Sequence, residues 1–231
     1  MIPKEIHYCW FGNKEKTNLA KKCINSWKTV LKDYKIQEWN EKNFDVTQNE
    51  YTKYCYENEK WAFLSDYARL KIIYENGGIY FDTDVEVLAS FDDLLKYTAF
   101  FGREGKYINT GLGFGAEKNN SLIKDIMQSY EKIIPTENYS FIPCPRLNTP
   151  FFKDYGFNVD TDNIEEKNNI IVLTSTILNP FDDQTGVLNK TTYTKSIHWY
   201  GKSWMSLKSK VRNKITRKLH KYLGVDFFRK H

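Results

Sequence analysis

Asp82 and Asp84 close the string Ile79-Tyr80-Phe81-Asp82-Thr83-Asp84. In extended chain, residues two apart share a face, so a buried apolar strand ending in this string presents two carboxylates to one space. Like charges that close raise each other's pKa or recruit a cation. A small set of hard oxygen ligands suits Mg²⁺ or Mn²⁺. Chance alone supplies about one Asp-x-Asp triplet in a chain of this composition, and there is a second, Asp160-Thr161-Asp162, in a polar stretch where it reads as a surface turn. Context separates the two. Only the first follows a helical pattern, a double glycine and an apolar strand, and ligands of open α/β sheets bind at the carboxyl ends of strands.

A charged pair lies just upstream. At about 100° per residue, Lys71 and Glu75 mark the solvent face of a helix over 61–76, and Asp66 and Arg69 fall almost opposite, among Ala62, Leu70 and Ile73. An exposed i,i+3 pair contributes only about 0.2–0.5 kcal/mol, and on a buried face desolvation can exceed the Coulombic gain. A ligand-facing role would have Asp66 accept from hydroxyls and Arg69 offer a planar fork to hydroxyl or phosphate oxygens. The residue pattern leaves both readings standing, a structural ion pair and a ligand contact.

These groups need elements to hold them. Residues 4–10 and 34–39 read as strands, with a helix over 18–31 between them capped by Thr17 or Asn18. The helix 61–76 is stopped by Gly77-Gly78, and 79–82 is a short buried strand. Further strands are expected near 98–102, 110–115, 170–174 and 193–199, and a helix over about 120–133. The proline-rich stretch 135–150 reads as a loop bordering a site. Strands alternating with helices predict an α/β fold with a mostly parallel or mixed sheet.

The chain has 231 residues, 41% of them hydrophobic, enough for one substantial core and excluding a disordered or low-complexity protein. The net charge of +5 hides an asymmetry: residues 202–231 hold ten Lys or Arg against one acid, Asp226, leaving 24 basic and 28 acidic residues in the rest. A mildly acidic body excludes a nucleic-acid-binding body and assigns the basicity to a tail. Within that tail Trp204, Leu207, Val211, Ile215, Leu219 and Tyr222 recur at three- and four-residue spacing among lysines and arginines, the pattern of a helix lying on an anionic membrane surface. A helix docked on the body with solvated charges is the alternative. Cys9, Cys23, Cys55 and Cys144 form no metal or disulfide pattern. With no membrane-spanning run and no long apolar stretch at the opening, the expectation is a cytoplasmic protein, peripheral on the inner face of the plasma membrane.

The string from Ser65 to Val87, SDYARLKIIYENGGIYFDTDVEV, resembles the signature of glycosyltransferase family 32, the family with the sugar-binding region containing the DXD motif. That family includes capsular-polysaccharide and initiating-mannosyltransferase types, and the catalytic domains of the clostridial glucosylating toxins are more distant relatives. Ile6 to Gly12, Cys23 to Trp27, Trp39-Asn40 and Ile197 to Trp204 support the resemblance, which covers roughly 1–204 and leaves 205–231 as a basic amphipathic tail. It implies a single-domain GT-A fold, a Rossmann-like mixed sheet flanked by helices. It also implies Mn²⁺ or Mg²⁺, a nucleotide-sugar donor, and retention of anomeric configuration. By the same resemblance Trp10 stacks on the donor base, Asp66 and Arg69 hold the transferred sugar, and Ser65 and Tyr80 line the donor pocket. Asp82 touches the ribose or sugar and assists the metal, Asp84 is the main metal ligand, and His198 resembles a late metal-binding histidine. Lys202, Ser203 and Trp204 meet the diphosphate. The function so implied is hexosyl transfer from UDP-galactose or UDP-glucose to a glycan, on a lipid-linked capsular or exopolysaccharide intermediate.

Two other readings compete with this one. Phe81-Asp82-Thr83-Asp84-Val85 after an apolar strand also suggests a phosphatase of the haloacid dehalogenase type, but that motif wants Thr or Val where Glu86 stands, and a place on the first strand. A non-catalytic, membrane-peripheral carbohydrate-binding protein fits the aromatics and the tail but not the complete donor-site set. His7 is assigned to structure.

Overall fold

The computed structural model describes residues 1–201 and 207–223. Strand β1 (Glu5–Cys9) leads through helix α1 (Asn18–Val30) to β2 (Lys35–Trp39). Helices α2 (Glu50–Glu57) and α3 (Trp61–Asn76) precede β3 (Gly78–Tyr80) and β4 (Val85–Val87). Then come β5 (Ala99–Glu104), β6 (Tyr107–Asn109), β7 (Phe114–Ala116) and helices α4 (Ser121–Glu131) and α5 (Cys144–Asp154). Strands β8 (Glu165–Lys167) and β9 (Ile170–Leu173), helix α6 (Ser175–Leu178), strand β10 (Ser196–His198) and helix α7 (Leu207–Leu223) follow.

The main sheet runs β2-β1-β3-β7-β5-β9-β8, with β6 paired to β5. Strands β1, β2 and β3 are mutually parallel, β7 opposes both β3 and β5, and β9 runs with β5. Five strands therefore end on one edge, at Cys9, Trp39, Tyr80, Glu104 and Leu173. Alternation along each strand feeds a core on either face: Phe100 packs with Trp27, Phe81 and Phe91, whereas Phe101 packs with Leu70, Phe114 and Phe152.

Most expected elements form, and the departures have local causes. Of the expected strand 110–115 only the end is strand, in β7; Thr110 to Gly113 form the bend between β6 and β7, and β6 was not foreseen. Strand β4 and helix α2 were not foreseen. The latter mixes Tyr and Thr with charges, and its clearest signal is Asn49, whose side chain accepts from Thr52 N as N-cap. Residues 135–150 are not loop throughout, because α5 begins at Cys144. Pro143 is its N-cap and Pro145 sits in the first turn, where a missing N–H costs nothing, and Pro150 lies inside the helix, which continues to Asp154.

The junction between α3 and β3 is more than a helix stop. Gly77 and Gly78 both have positive φ, and a Cβ on Gly78 would lie 2.7 Å from Glu5 O and 2.9 Å from His7 Nε2. Only glycine lets β3 lie this close to β1. His7 ties the same junction: Trp39 Nε1 donates to its Nδ1 at 3.1 Å, so Nε2 carries the proton and donates to Gly77 O at 3.1 Å. Burial pushes the imidazole down to about 4. His7 is structural, as expected.

Because that value lies below the unfolded one, the neutral ring's contribution is complete above about pH 6.5 and is lost as pH falls toward 4. The fall amounts to about 3 kcal/mol. We expect the stability gap between wild type and His7→Gln, measured by chemical denaturation, to close across that window. A gap independent of pH would show that His7 does not titrate in the fold.

Candidate active site

The two carboxylates of the Asp82-Thr83-Asp84 string lie on a turn, not on extended chain. β3 ends at Tyr80, and Val85 N donates to Asp82 O at 3.0 Å, closing the turn before β4. The expected same-face geometry of a strand is thus corrected: the turn brings the groups together, and a third arrives from 114 residues downstream. Strand β10 pairs antiparallel with β4, His198 opposite Val85. Ligand atoms of Asp82, Asp84 and His198 all lie within 4.8 Å of one another. Asp84 is held from three sides: its Oδ1 is 3.2 Å from His198 Nε2, its Oδ2 accepts from Gly201 N at 2.7 Å, and its carbonyl accepts from Trp199 N at 3.0 Å.

Asp66 and Arg69 lie on the buried face of α3, as the helical spacing requires, while Lys71 pairs with Glu75 outside. Arg69 is 3% exposed, and its fork is taken up by carboxylates: Nη1 is 3.1 Å from Asp66 Oδ1 and Nη2 is 2.9 Å from Asp82 Oδ1. Its Nε is buried without a partner. The pair is therefore structural and part of the site at once, coupling α3 to the acidic turn. Tyr80 is buried too, its hydroxyl donating to Asp82 Oδ1 at 3.1 Å under the Arg69 guanidinium.

Burial raises Asp66 to about 6, with Asp82 adding to the rise and Arg69 opposing it. Burial and Asp84 raise Asp82 against the pull of Arg69. At Asp84 burial works upward, but the charge and hydrogen bond of His198 and the Gly201 N–H outweigh it and hold the group below the usual value. His198 is raised, burial being overcome by Asp84 and then Asp82. Loss of the His198 proton to a bound metal would leave the carboxylates of Asp66, Asp82 and Asp84 facing one permanent cation, Arg69, an excess of acid that a divalent cation would offset. The donor set, oxygen with one imidazole, fits Mn²⁺ or Mg²⁺, and His198 Nδ1 is buried without a partner.

Of the other expected residues, Trp10 and Ser65 are described. Trp10 follows β1 directly, half-buried, with its Nε1–H donating to Lys14 O at 2.6 Å and Lys16 Nζ 5.7 Å from its ring. Ser65 is half-buried beside Asp66 on α3. Lys202, Ser203 and Trp204 lie outside the described residues. Sequence reasoning missed Glu104, Asn109, Gly111, Cys144 and Tyr200. Asn109 donates to Glu104 Oε2 at 2.5 Å and accepts from Gly111 N at 2.6 Å, and Cys144 Sγ is 3.5 Å from Arg69 Nη1. A Cβ on Gly111 would lie 2.6 Å from Asp82 Oδ2 and 3.1 Å from Arg69 Nη1, so the backbone itself forms the wall here. Tyr200 has φ +49, a left-handed conformation unusual for this residue, and stacks on His198 at 4.1 Å. Glu104, Asn109, Gly111 and Cys144 carry no motif, and the string Ile197 to Trp204 assigns Tyr200 no role; positive φ and register become visible only in the fold. Asp160 and Asp162 are exposed, the latter binding Ser175 N, as the surface-turn reading requires. Glu86, where the phosphatase motif wants Thr or Val, pairs with Lys22 and Trp199 Nε1 and takes no part in the site.

A mixed, mostly parallel sheet flanked by helices, with an acidic turn at the strand-end edge, is the architecture of the GT-A glycosyltransferases. Residues 17–101 match the family model described as "Glycosyltransferase sugar-binding region containing DXD motif". The match takes in Asp66, Arg69, Tyr80, Asp82 and Asp84. The chain is 26% identical over 158 residues to inositol phosphoceramide mannosyltransferase 3 of Schizosaccharomyces pombe, a match covering 65% of this chain and 43% of that protein. It thus spans less than half the length of this curated relative. Among solved structures, the PaToxG glycosyltransferase superposes with TM-score 0.51 at 19% identity, covering 66% of this chain and 68% of that one. A fainter likeness, TM-score 0.44 and 14% identity over 93% of this chain and 94% of the other, is to the galactosyltransferase LgtC.

Two outcomes are expected of this site. Arg69→Ala leaves Asp66 and Asp82 buried without their cation and lowers stability by about 3–5 kcal/mol in chemical denaturation; a loss under 1 kcal/mol would show that the trio is not coupled. Mn²⁺ affinity, read by titration calorimetry, falls as pH drops through the raised His198 pKa, since a proton and a metal compete for the ring. His198→Gln flattens that dependence, and an unchanged profile in the variant would remove His198 from the ligand set.

Proposed function

We propose that this protein transfers a hexosyl group from a nucleoside-diphosphate sugar to a glycan acceptor, with retention at the anomeric carbon and with Mn²⁺ or Mg²⁺ bound. One observation carries the reading: Asp82, Asp84 and His198 converge on one point beside the Asp66–Arg69 pair, at the edge where the parallel strands end. Asp84 and His198 hold the ion, and Asp82 assists from the Arg69 side. A cation there supplies a Lewis acid for the diphosphate, on which charge builds as the anomeric bond breaks.

The chain's own groups do the rest. Asp66 accepts hydroxyls of the transferred sugar. Arg69 through Nη2 and Tyr80 through its hydroxyl keep Asp82 aimed. Trp10 offers a ring face to the donor base, its N–H already satisfied by Lys14 O, and Ser65 lines the pocket. Lys202, Ser203 and Trp204 meet the diphosphate. Burial of Asp66, Arg69 and Tyr80 behind the partly exposed Asp82 and Asp84 strengthens the charge interactions on that side.

The favoured donor is UDP-galactose or UDP-glucose, and the favoured acceptor a lipid-linked capsular or exopolysaccharide intermediate. The mannosyltransferase relative supports a second reading, a mannosyl donor. Thermal-shift measurements on a panel of nucleotide sugars with and without Mn²⁺ discriminate. A bound donor at 100 times its Kd stabilises by about 2.7 kcal/mol, and we expect this for a UDP-hexose only when metal is present. Stabilisation by GDP-mannose alone supports the second reading, and stabilisation by no nucleotide sugar overturns both. Asp84→Asn abolishes the metal-dependent shift while the fold survives. Slow donor hydrolysis without acceptor separates an enzyme from a mere binder.

A further inference from the structure

Helix α7 sits on the body by the wrong side for a stabilising helix. At about 100° per residue, Asn213, Arg217 and His220 share one face, and Ile215, Leu219 and Tyr222 share the opposite one. The first face meets the loop after α6. Arg217 Nε donates to Asp183 O at 2.8 Å, its guanidinium pairs with the Asp183 carboxylate and covers the Phe181 ring at 5.3 Å, and His220 Nδ1 is 3.3 Å from Gln184 O. The apolar face is left outside: Ile215 is 56% exposed, Leu219 38% and Tyr222 80%. A helix docked for stability buries its apolar stripe. This one holds on by polar contacts and turns the stripe away, with Arg212 and Lys218, both exposed, about 60° to either side.

We propose that this face of α7 docks the protein on an anionic lipid surface, with Ile215, Leu219 and Tyr222 entering the headgroup boundary and the flanking Arg212 and Lys218 meeting lipid phosphates. Charge selects this occupant. Residues 202–231 carry ten basic groups and one acid, so a second copy of the same face would be repelled, whereas an anionic leaflet attracts it. Basic side chains flanking an apolar stripe lay their stems along it and keep their charges in the headgroup layer. Among the described residues no helix is long and apolar enough to cross a membrane, so α7 lies on the surface rather than spanning it. The arrangement also orients the protein. The loop that grips α7 belongs to the segment between α6 and β10, and β10 carries His198, so the site and the lipid-facing stripe are joined through one stretch of chain.

The vesicle measurements use the full chain and need neither donor nor acceptor, so their failure would leave the transferase reading untouched. All four native cysteines are buried, so an environment-sensitive dye on Ile215→Cys reports from the stripe alone. We expect sedimentation with phosphatidylglycerol-containing vesicles but not with pure phosphatidylcholine, and a blue-shifted, brighter dye on the anionic vesicles. Ile215→Glu with Leu219→Glu, and separately Arg212→Glu with Lys218→Glu, each lower the partition coefficient by about tenfold or more, with donor hydrolysis in solution unchanged. Equal sedimentation with neutral vesicles, or anionic binding without a dye response, would overturn the proposal. So would light scattering that shows a dimer which the stripe variants dissociate, because the stripe would then be covered by a second copy.

Discussion

One guanidinium, buried between two carboxylates, is the interaction on which the rest of this molecule depends. Arg69 bridges Asp66 on its own helix to Asp82 on the turn after β3, with almost no exposure to water. Its charge opposes the burial that drives both acids upward. The bridge also fixes where α3 sits on the sheet, because a planar fork serving two partners tolerates little displacement. An ion pair of this kind is a poor source of net stability. Its value is positional: it brings a helix, a strand end and a turn to one point.

Around that point the backbone is drawn in rather than filled with side chains. Gly111 stands where any Cβ would strike Asp82 and Arg69, and Gly78 where any Cβ would strike β1. On the far side of the acidic turn the two-stranded pairing of β4 with β10 delivers His198 to Asp84. The two large cores on the faces of the sheet, with Trp27 on one and Phe101 and Phe152 on the other, hold these approaches rigid. Such a site is poised rather than at rest. Its carboxylates outnumber its permanent cations, and His198 keeps one ring nitrogen without a partner. A divalent ion held by Asp82, Asp84 and His198 would supply the missing positive charge.

Much of this was legible in the residues, and what was legible was local. The helical period separated Asp66 and Arg69 from Lys71 and Glu75 without a coordinate, because a helix assigns each residue to a side by its number alone. The apolar strand and double glycine before Asp82 marked one Asp-x-Asp among two, and the alternation of strands and helices predicted the mixed sheet. The expectation of extended chain at Asp82 and Asp84 was wrong in mechanism though right in result. A turn and a parallel alternation place neighbours alike at short range, and nothing in three residues tells them apart. The prolines of 135–150 misled in the same way, since a proline in the first turn of a helix and a proline in a loop look alike in sequence.

What the sequence by itself determined is therefore the chemistry: which carboxylates, which cation, which glycines, and a tail with a basic and an apolar side. Only the tertiary structure decided their relations. Arg69 spends its fork on Asp66 and Asp82, His198 reaches Asp84 across 114 residues, Gly111 must lack a side chain, and α7 turns its apolar stripe outward. The reason is physical. Side-chain identity and short-range period are written residue by residue, whereas the close approach of distant segments follows from strand register and packing, which belong to the whole chain at once.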